Sequence, residues 1–380
     1  MNFDFTEEQL MIKQAARDFA QRELVLDVLE RDEKSIFPTQ HIKKLAELGF
    51  MGMMVDPEYG GSGMDTISYV LAMEEISKID ASVSVIMSVN NSLVCYGLNR
   101  FGNEDQKQKY LIPLASGEVI GALLLSEPEA GSDATHQHTT AEDKRDHYLI
   151  NGTKNWITSA NSASTYIVIA QTHPDKKHRG INAFIVDRNS PGITLGPHED
   201  KMGMRSSDTH SVMFSDVVVP KENRIGEDGF GFKFAMMVLE AGRIGIASQA
   251  LGLASGAMER AAAYAKERKA FGTEIANYQA IAFKLSDMSV KVENARNLCL
   301  KAAWLKDNHK PITLASAMAK QYAADIAMEV TTEAVQIHGG YGYVKEYHVE
   351  RLMREAKLTQ IYEGTSEVQK IVISRDLLKG

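Results

Sequence analysis

The 380-residue chain is predicted to fold as a mainly α-helical protein with a β domain in its middle. Helical periodicity covers residues 6 to about 116 and returns after Gly231. Between these regions, short β-branched and aromatic runs are separated by Gly, Asn, Asp and Pro. The pattern predicts an N-terminal helical domain (1–118), an antiparallel β-sandwich or barrel domain (119–226) and a C-terminal four-helix-bundle domain (227–380).

The N-terminal region begins with a helix-start signal. Thr6-Glu7-Glu8-Gln9 fits a capping box, so we expect a helix almost from the first residue. Turn residues at 56–63 interrupt the helical pattern, and residues 80–100 form another mostly apolar stretch. No segment is expected to reach the roughly 18 apolar residues of a membrane span, and no signal peptide is recognised. We expect a cytoplasmic location, or the mitochondrial matrix if a leader was removed.

In the middle region, four runs have the composition of strands, at 165–170, 183–186, 211–214 and 217–219. Asn151-Gly152 is a sequence typical of a tight β-hairpin turn, and we expect a hairpin there.

The C-terminal region predicts long packed helices. One buried stripe is expected from residues spaced alternately four and three apart: Ile281, Leu285, Met288, Val292, Ala295, Cys299, Ala302 and Leu305. A second helix is expected to pack through an i+4 ridge: Leu314, Met318, Tyr322, Ile326, Val330 and Ala334. Pro311 suits the start of that second helix, and Gly252 and Gly256 would let two helices approach closely.

Composition excludes several function classes. Hydrophobic residues at 44% and charged residues at 24% are ordinary for a soluble globular protein. The net charge of −8 argues against a general nucleic-acid or anionic-membrane binder. Cys95 and Cys299 are too few for a zinc site, so we expect both to be small buried apolar residues. The sequence has no P-loop, G-x-S-x-G, H-E-x-x-H or strand-linked G-x-G-x-x-G motif, and His136 and His138 are expected in a solvated loop, so no metal is expected.

Two segments of the β region could bind a ligand. Residues 125–133 place hydroxyls and free backbone N–H groups at a turn after an apolar strand, which suits a polar or anionic ligand, although a plain loop explains them equally well. Trp156, in the segment 155–160, could form the wall of a planar-ring site beside hydroxyl groups. It could equally fill the β core.

Two further segments lie in the C-terminal region. Gly339, Gly340 and Gly342 exceed what a helix end requires, which suggests close approach of a ligand or partner chain. Ser366 and Gln369 fit a capping box, so a helix is expected to begin near Glu367. Glu363 precedes it, and held against apolar surroundings its carboxyl pKa would rise and suit a general base. The alternative is an ordinary solvated loop glutamate.

Five motifs give the chain a resemblance to the acyl-CoA dehydrogenase family over essentially all positions. They are S-E-P-x-x-G-S-D at 126–133, W-I-T at 156–158, R-K-A-F-G at 268–272, Q-x-x-G-G-x-G at 336–342 and Y-E-G-T-S-E at 362–367. Residues 84–93 and 242–252 are most similar to the short-chain (butyryl-CoA) branch.

The resemblance implies bound FAD, an acyl-CoA thioester substrate and electron transfer to an electron-transfer flavoprotein. It implies that Glu363 removes the α-proton while the β-hydrogen leaves as hydride to flavin N5, giving a trans-2-enoyl-CoA. The family stabilises the developing enolate through the backbone N–H of the base and a flavin ribityl hydroxyl. Some branches carry the base at the position of Gly242, which a glycine cannot supply, and Glu240 would point elsewhere on the helix.

The resemblance also implies binding residues. The isoalloxazine would contact Leu123, Leu125, Ser126, Gly131, Ser132, Trp156, Ile157 and Thr158, with Thr158 near N5. A neighbouring subunit's FAD would be reached by Arg268, Phe271, Gln279, Gln336, Ile337, Gly339 and Gly340, and FAD would also be touched by Thr365, Ser366 and Glu367. Acyl-CoA would contact Ser132, Glu240, Ala241, Gly242, Arg243, Tyr362 and Gly364.

Sites shared between subunits imply a dimer at least, and the short-chain branch implies a homotetramer built as a dimer of dimers. The sequence departs from the family at Leu124, His136 and Glu355, and Met237 stands where mammalian short-chain members carry Gln. Met237 leaves an acyl length of about four to about six carbons open. Two alternatives remain open as well: an oxidase that passes electrons to oxygen, and a catalytically silent binding subunit on the same fold.

Overall fold

The structure is a computed structural model that describes residues 4–379. The predicted order of a helical region, a β region and a second helical region is confirmed. The domain boundaries at 118 and 226 stay a prediction, although the eight strands of the main sheet lie between Gly121 and Ile225.

The N-terminal region consists of short helices around an apolar core. They are α1 Glu7–Phe19, α2 Val28–Lys34, α3 Thr39–Glu47, α4 Thr66–Ser77, α5 Ala81–Ser88, α6 Tyr96–Phe101, α7 Glu104–Gln106 and α8 Ile112–Ala115. The predicted capping box is confirmed, because the Gln9 amide donates to Thr6 Oγ1 at 3.2 Å and the Thr6 amide donates to Gln9 Oε1 at 3.0 Å. Three π-helical segments, Ala20–Leu24, Val89–Cys95 and Lys107–Leu111, continue α1, α5 and α7.

One helix contradicts the expectation that no segment could span a membrane. Ala81–Phe101, which joins α5, Val89–Cys95 and α6, is long and apolar enough to do so by length and composition alone. Its apolar window is 94% buried inside the protein, as for the core helix of a globular domain. Asp80 caps its start, accepting hydrogen bonds from the amides of Ser82 and Val83 at 2.8 and 3.1 Å.

The middle region is one eight-stranded sheet. Its strands are β1 Gly121–Leu124, β2 Thr140–Asp143, β3 His147–Thr158, β4 Thr165–Gln171, β5 Ile181–Asp187, β6 Ile193–Leu195, β7 Thr209–Pro220 and β8 Arg224–Ile225. The strand order is β6-β7-β3-β2-β4-β5-β8, and β1 pairs with β4 outside this path. The pairings of β4 with β1 and β2 are parallel, so the sheet is mixed and not wholly antiparallel as predicted.

Two local strand predictions are wrong. Asn151-Gly152 lies inside β3, where Gly152 has φ 144° at a bulge opposite β7, and the chain turns instead near Arg145 at φ 74°. The two runs 211–214 and 217–219 form the single strand β7, because Asp216 takes a left-handed φ of 51° and absorbs an extra residue without breaking the pairing.

The C-terminal region contains the longest helices. They are α9 Gly231–Glu267, α10 Gln279–Asp307, α11 Thr313–His338, α12 Val349–Thr359 and α13 Ser366–Leu377, with a small hairpin of β9 Lys269–Ala270 and β10 Thr273–Glu274 after α9. Helix α9 packs against α4, α10, α11 and α12. The predicted close approach is confirmed, because a Cβ added to Gly252 or Gly256 would lie 2.5 or 2.6 Å from the carbonyl oxygens of Glu74 or Lys78 on or beside α4.

The predicted stripe of α10 is buried from Met288 to Ala302, including Cys299, and half-buried at its ends. Cys95 is buried too, so both cysteines are the small apolar residues expected. On α11 the predicted ridge is only half-buried from Leu314 to Tyr322, because the alanine-rich face beside it is the more deeply buried one.

A buried charge network joins the two helical regions. Arg351 on α12 is fully buried and donates to both carboxylate oxygens of Glu355 at 2.8 and 2.7 Å and to the Ile79 carbonyl at 2.7 Å. Asp80 pairs with Arg31 close by at 2.5 Å, and Arg351 also lies within electrostatic reach of Asp80. Such a network is stable only while every charge keeps its partner.

Candidate functional site

Glu363 lies in the tight turn between α12 and α13. Its φ is 52° and that of Gly364 is 92°, so two successive residues adopt the left-handed conformation that only glycine takes freely. Gln369 Nε2 donates to the carbonyls of Glu363 and Gly364 at 3.3 and 2.9 Å, and Lys320 Nζ donates to the Gly364 carbonyl at 2.6 Å. These hydrogen bonds stabilise a strained turn from which the Glu363 side chain projects.

The Glu363 carboxylate points at Gly242 on α9. A Cβ added to Gly242 would lie 2.0 Å from Glu363 Oε2, so the absence of a side chain at Gly242 makes room for the carboxylate. Oε2 is buried and has no hydrogen-bond partner within residues 4–379. Burial raises the pKa of Glu363 to about 7, although Lys320 and Arg243 oppose the rise. The geometry therefore excludes an ordinary solvated loop glutamate.

The other predicted substrate residues divide into two sets. Ala241, Gly242 and Arg243 are buried beside the turn, and Arg243 Nε is buried without a hydrogen-bond partner in the described structure. Glu240 points away, since its carboxylate accepts a hydrogen bond from Thr313 Oγ1 at 2.8 Å.

Tyr362 and Gly364 flank the carboxylate. The Tyr362 hydroxyl donates a hydrogen bond to Gln249 Oε1 on α9, so the tyrosine fixes the start of the turn against that helix. Burial raises the pKa of Tyr362 well above its ordinary value. The tyrosine is therefore a neutral donor at physiological pH.

The β-domain segments predicted to bind a ligand lie side by side. The Asn155 amide donates to the Ser126 carbonyl at 2.8 Å, which joins the turn after β1 to β3. Beneath them Lys154, fully buried, donates to the Leu125 carbonyl at 3.0 Å, to Glu127 Oε1 at 2.7 Å and to Gln137 Oε1 at 2.6 Å. Gly131 and Ser132 are exposed beyond this anchor, and Leu123 and Leu125 are half-buried.

Trp156 is 62% exposed, so the expectation that it might fill the β core is wrong. Its φ of 60° falls in a bulge between Lys154 and Ile157 that turns the indole out of the sheet. Ile157 is buried in the core, while Thr158 is half-buried and pairs with Thr209 on β7. An exposed indole beside a threonine hydroxyl can line a planar-ring site.

The segment Val89–Cys95 lies between the Glu363 turn and the β domain. Leu93 Cδ2 is 2.7 Å from the Cβ position built on Gly242, and Asn90 Oδ1 accepts a hydrogen bond from the Gly121 amide at the start of β1 at 3.0 Å. This buried segment therefore contacts both α9 at Gly242 and the start of β1.

A third group of predicted residues lies far from the carboxylate. Arg268, Ile337, Gly339 and Gly340 line an open groove of about 710 Å³, together with Tyr264, His338, Tyr341 and Tyr347. The Arg268 guanidinium lies 5.3 Å from the Tyr341 ring centroid. Arg268 follows Gly242 by 26 residues, about 39 Å along α9, so one chain does not bring this groove to its own Glu363.

The remaining residues of this group are on the surface beside the groove or at a helix start. Phe271 protrudes from the β9–β10 hairpin with 98% of its side chain exposed, and Gln279 and Gln336 are also exposed. The N-cap of α13 is Thr365 and not Ser366 as predicted. Thr365 Oγ1 accepts a hydrogen bond from the Val368 amide at 3.2 Å. Ser366 is buried and donates to Asp325 Oδ1 at 2.9 Å, whereas Glu367 is exposed.

Sequence reasoning missed the buried supports of the site: Lys320, Lys154, Glu127 and Gln249. Lys320 had a recognisable signal, because it stands among alanines on the buried face of α11 and a lysine is rarely fully buried unless it has a partner. Glu127 stands in the motif at 126–133, but its pairing with Lys154 had no signal, since it joins residues 27 positions apart through the tertiary fold.

The sequence and the fold match known proteins over essentially the whole chain. The acyl-CoA dehydrogenase N-terminal, middle and C-terminal domain families match residues 6–118, 122–217 and 229–378. A short-chain specific acyl-CoA dehydrogenase of Clostridium acetobutylicum is 48% identical over 379 residues, covering 100% of both chains. Relatives of similar identity include mitochondrial short-chain specific enzymes of mammals.

Solved structures agree with this match. The butyryl-CoA dehydrogenase of Megasphaera elsdenii is 48% identical with a TM-score of 0.98, covering 100% of both chains. A chain in the structure described as the electron transferring flavoprotein of Acidaminococcus fermentans, in work on flavin-based electron bifurcation, is 50% identical with a TM-score of 0.99, again with full coverage of both chains.

Proposed function

Because the chain belongs to the acyl-CoA dehydrogenase family, whose members are FAD-dependent oxidoreductases, we propose that it oxidises a short-chain, butyryl-CoA-like thioester to the trans-2-enoyl-CoA. The single observation that carries this proposal is the Glu363 carboxylate, enclosed opposite Gly242 with a pKa raised to about 7. A base with a pKa near the working pH is the kind that general-base catalysis favours.

Two separate groups of residues, one on the β domain and one at the distant groove, fit FAD. The exposed, out-turned indole of Trp156 and the open backbone at Gly131, where an added Cβ would meet nothing within 4 Å, suit a flat ring system. At the distant groove, the Arg268 guanidinium and the glycines 339 and 340 suit an anionic pyrophosphate. We therefore infer that Leu123, Leu125, Ser126, Ser132, Ile157 and Thr158 surround the ring, and that the groove residues with Phe271, Gln279 and Gln336 hold the far end of a neighbouring subunit's cofactor.

The remaining proposed contacts divide between cofactor and substrate. Thr365, Ser366 and Glu367 would reach the cofactor at the start of α13, and the buried Ser366 would do so through its backbone. Ser132, Ala241, Gly242, Arg243, Tyr362 and Gly364 would contact the thioester. For Glu240, the bond to Thr313 supports only a role for its backbone.

Glu363 removes the α-proton of the bound thioester and becomes the neutral carboxylic acid. FAD held by these residues would be the two-electron oxidant and would accept the β-hydrogen as hydride, which balances the loss of the α-proton to Glu363. Helix α9 orients the carboxylate, and the buried surroundings exclude water, which strengthens each electrostatic interaction there. A positioned general base contributes about 10²–10⁴-fold, so orientation and stabilisation of the enolate oxygen must supply the rest.

The electron acceptor and the assembly are proposals as well. Similarity to a chain from the Acidaminococcus work on an electron transferring flavoprotein supports delivery of electrons to such a partner. The separation of the groove from Glu363 along α9 supports FAD sites shared between subunits, and so a dimer at least. The homotetramer is proposed from the resemblance to the short-chain branch alone. A cytoplasmic location is proposed from the bacterial relatives, and the mitochondrial relatives keep the matrix open.

The decisive experiment replaces Glu363 with Gln, which keeps the shape and removes the base. With anaerobic butyryl-CoA, the wild-type flavin should bleach and stay bleached until an electron-transfer flavoprotein or dye is added. E363Q should retain FAD and the wild-type melting temperature but lose at least about 10²-fold in bleaching rate. The surface variant Glu142→Gln serves as the matched control and should react as wild type.

Three results would contradict the proposal. Full activity in E363Q would assign the base elsewhere. Rapid recolouring with peroxide on admission of air would identify an oxidase, and a protein that binds no flavin would be a silent subunit.

A further inference from the structure

Lys320 is a fully buried lysine that the proposed mechanism leaves unused. It lies on α11 with no exposed surface, between alanines 317, 319 and 323, which are buried to the same degree. Burial lowers the pKa of its ammonium to about 8. An ammonium enclosed in this way is costly, so its retention calls for a specific interaction.

The hydrogen bond of Lys320 reaches the turn that carries the proposed base. Nζ donates to the Gly364 carbonyl at 2.6 Å, and the same carbonyl accepts from Gln369 Nε2 at 2.9 Å. Asp325, just over one helical turn further along α11, accepts from Gln360 Nε2 and from Ser366 Oγ, both at 2.9 Å. Helix α11 therefore holds the turn at both ends and, through Lys320, at the residue next to Glu363.

The charges around Glu363 are unevenly distributed. The charged and titratable groups that act on it or on its two cationic neighbours are Arg243 and Glu240 on α9, Lys320 and Asp325 on α11, Tyr69 on α4, Tyr362 in the turn and Glu367 on α13. Only Lys320 and Arg243 are cationic, and the effect of Lys320 on the carboxylate is the larger of the two. Lys320 is also the one cation among them that hydrogen-bonds the turn itself.

We propose that Lys320 is a positioning residue for Glu363: its ammonium fixes the Gly364 carbonyl, and so the left-handed turn, while placing a positive charge within reach of the carboxylate. The inference rests on the proposed function, because it needs Glu363 to be the base. It adds a residue outside every predicted binding and catalytic set, and assigns it two separable effects, one on geometry and one on charge.

The two effects have different signatures. Losing the hydrogen bond frees a turn whose φ values of 52° and 92° are strained, so the carboxylate moves from its reactive position; a shift of about 1 Å can cost roughly 10²-fold in rate. Losing the charge makes ionisation of Glu363 harder, so the acidic limb of the pH–rate profile moves to higher pH. A merely structural lysine would produce neither change in the folded enzyme.

The test compares Lys320→Met with Lys306→Met by anaerobic stopped-flow reduction with butyryl-CoA across pH. Lys306 is a matched control because its enclosed ammonium also has a pKa lowered to about 8, while it bonds Thr66 Oγ1 at 3.1 Å, away from the turn. K320M should lose roughly 10²-fold in the plateau rate at high pH and move the acidic limb up by about one pH unit. K306M should keep both within about twofold.

Lys320→Gln guards against failure of K320M to fold and separates the two effects. Gln retains a neutral donor, so we expect the upward shift of the limb with a smaller loss in plateau rate. Infrared titration of the Glu363 carboxyl, taken as the wild-type minus E363Q difference, should show the same rise in pKa without turnover.

The inference is overturned if folded, flavin-loaded K320M and K320Q keep the wild-type limb and plateau. It is also overturned if K306M changes both as much as K320M does. Failure of the proposed function is a separate result. It would appear as full activity in E363Q, as rapid recolouring of the wild type in air, or as a wild type that binds no flavin, whatever the Lys320 variants show.

Discussion

Gly242→Ala tests the geometry of the carboxylate with a single methyl group. The added Cβ would lie 2.0 Å from Glu363 Oε2, which is about 1.4 Å shorter than the shortest ordinary van der Waals distance. The nearest atom is the end of a flexible side chain, so the carboxylate moves and the helix stays. A displacement above about 1 Å should cost about 10²-fold in the rate of flavin reduction by butyryl-CoA.

Stability should change little in this variant. Alanine has a higher helix propensity than glycine by about 1 kcal/mol, which offsets the contact of the new methyl with Leu93 Cδ2 at 2.7 Å. The free energy of unfolding should therefore stay within about 1 kcal/mol of wild type. The assay pairs anaerobic stopped-flow reduction with thermal unfolding of the same preparation.

Gly256→Ala is the control, with the opposite outcome. Its Cβ would lie 2.6 Å from the Lys78 carbonyl oxygen and 2.9 Å from the Lys78 Cα, and backbone cannot move aside as a side chain can. G256A should lose stability and keep the rate per folded, flavin-loaded subunit. If G242A reduces its flavin at the wild-type rate, the placement of Glu363 against α9 is wrong.

Three further predictions concern other parts of the molecule. For the wild type, kcat/KM should rise with pH through about 7 and level off above it, because Glu363 acts as the carboxylate; a profile flat from about pH 5 to about pH 9 would contradict this. Trp156→Ala should unfold as wild type but bind FAD roughly two- to tenfold more weakly, for a lost stacking energy of about 0.5–1.5 kcal/mol; an unchanged Kd on reconstitution would exclude stacking. Arg351→Met should lower the free energy of unfolding by about 3–5 kcal/mol, measured in urea, because it leaves Glu355 buried without its partner; a loss below about 1 kcal/mol would mean that the pair is dispensable.

Features set by local sequence could be predicted. The stripe of α10 and the capping box at Thr6 depend on spacing within one helix, and both are confirmed. The close approach at Gly252 and Gly256 also follows from the two glycines alone. The family motif is what singles out Glu363 as the candidate base. The rise in its carboxyl pKa follows from one assumption, that its surroundings are apolar.

What failed depends on context that spacing does not contain. Asn151-Gly152 has the composition of a hairpin turn, but pairing of β3 with β7 on one side and β2 on the other absorbs it as a bulge. Trp156 left two alternatives because only its left-handed φ, at the bulge, decides whether the indole faces the core or the surface. The role of Lys320 depends on a hydrogen bond between residues 44 positions apart, which no local pattern encodes.

Helix α9 carries Gly242 in its N-terminal half and leads directly to Arg268 at its C-terminal end. Each residue of such a helix adds about 1.5 Å and turns the chain by about 100°. Inserting or deleting one residue between them would therefore rotate the Arg268 guanidinium by about 100° round the helix axis, while changing its distance from Gly242 by only about 1.5 Å. If one cofactor spans two subunits, as proposed, the rotation of α9 between Gly242 and Arg268 therefore matters more than the length of the helix.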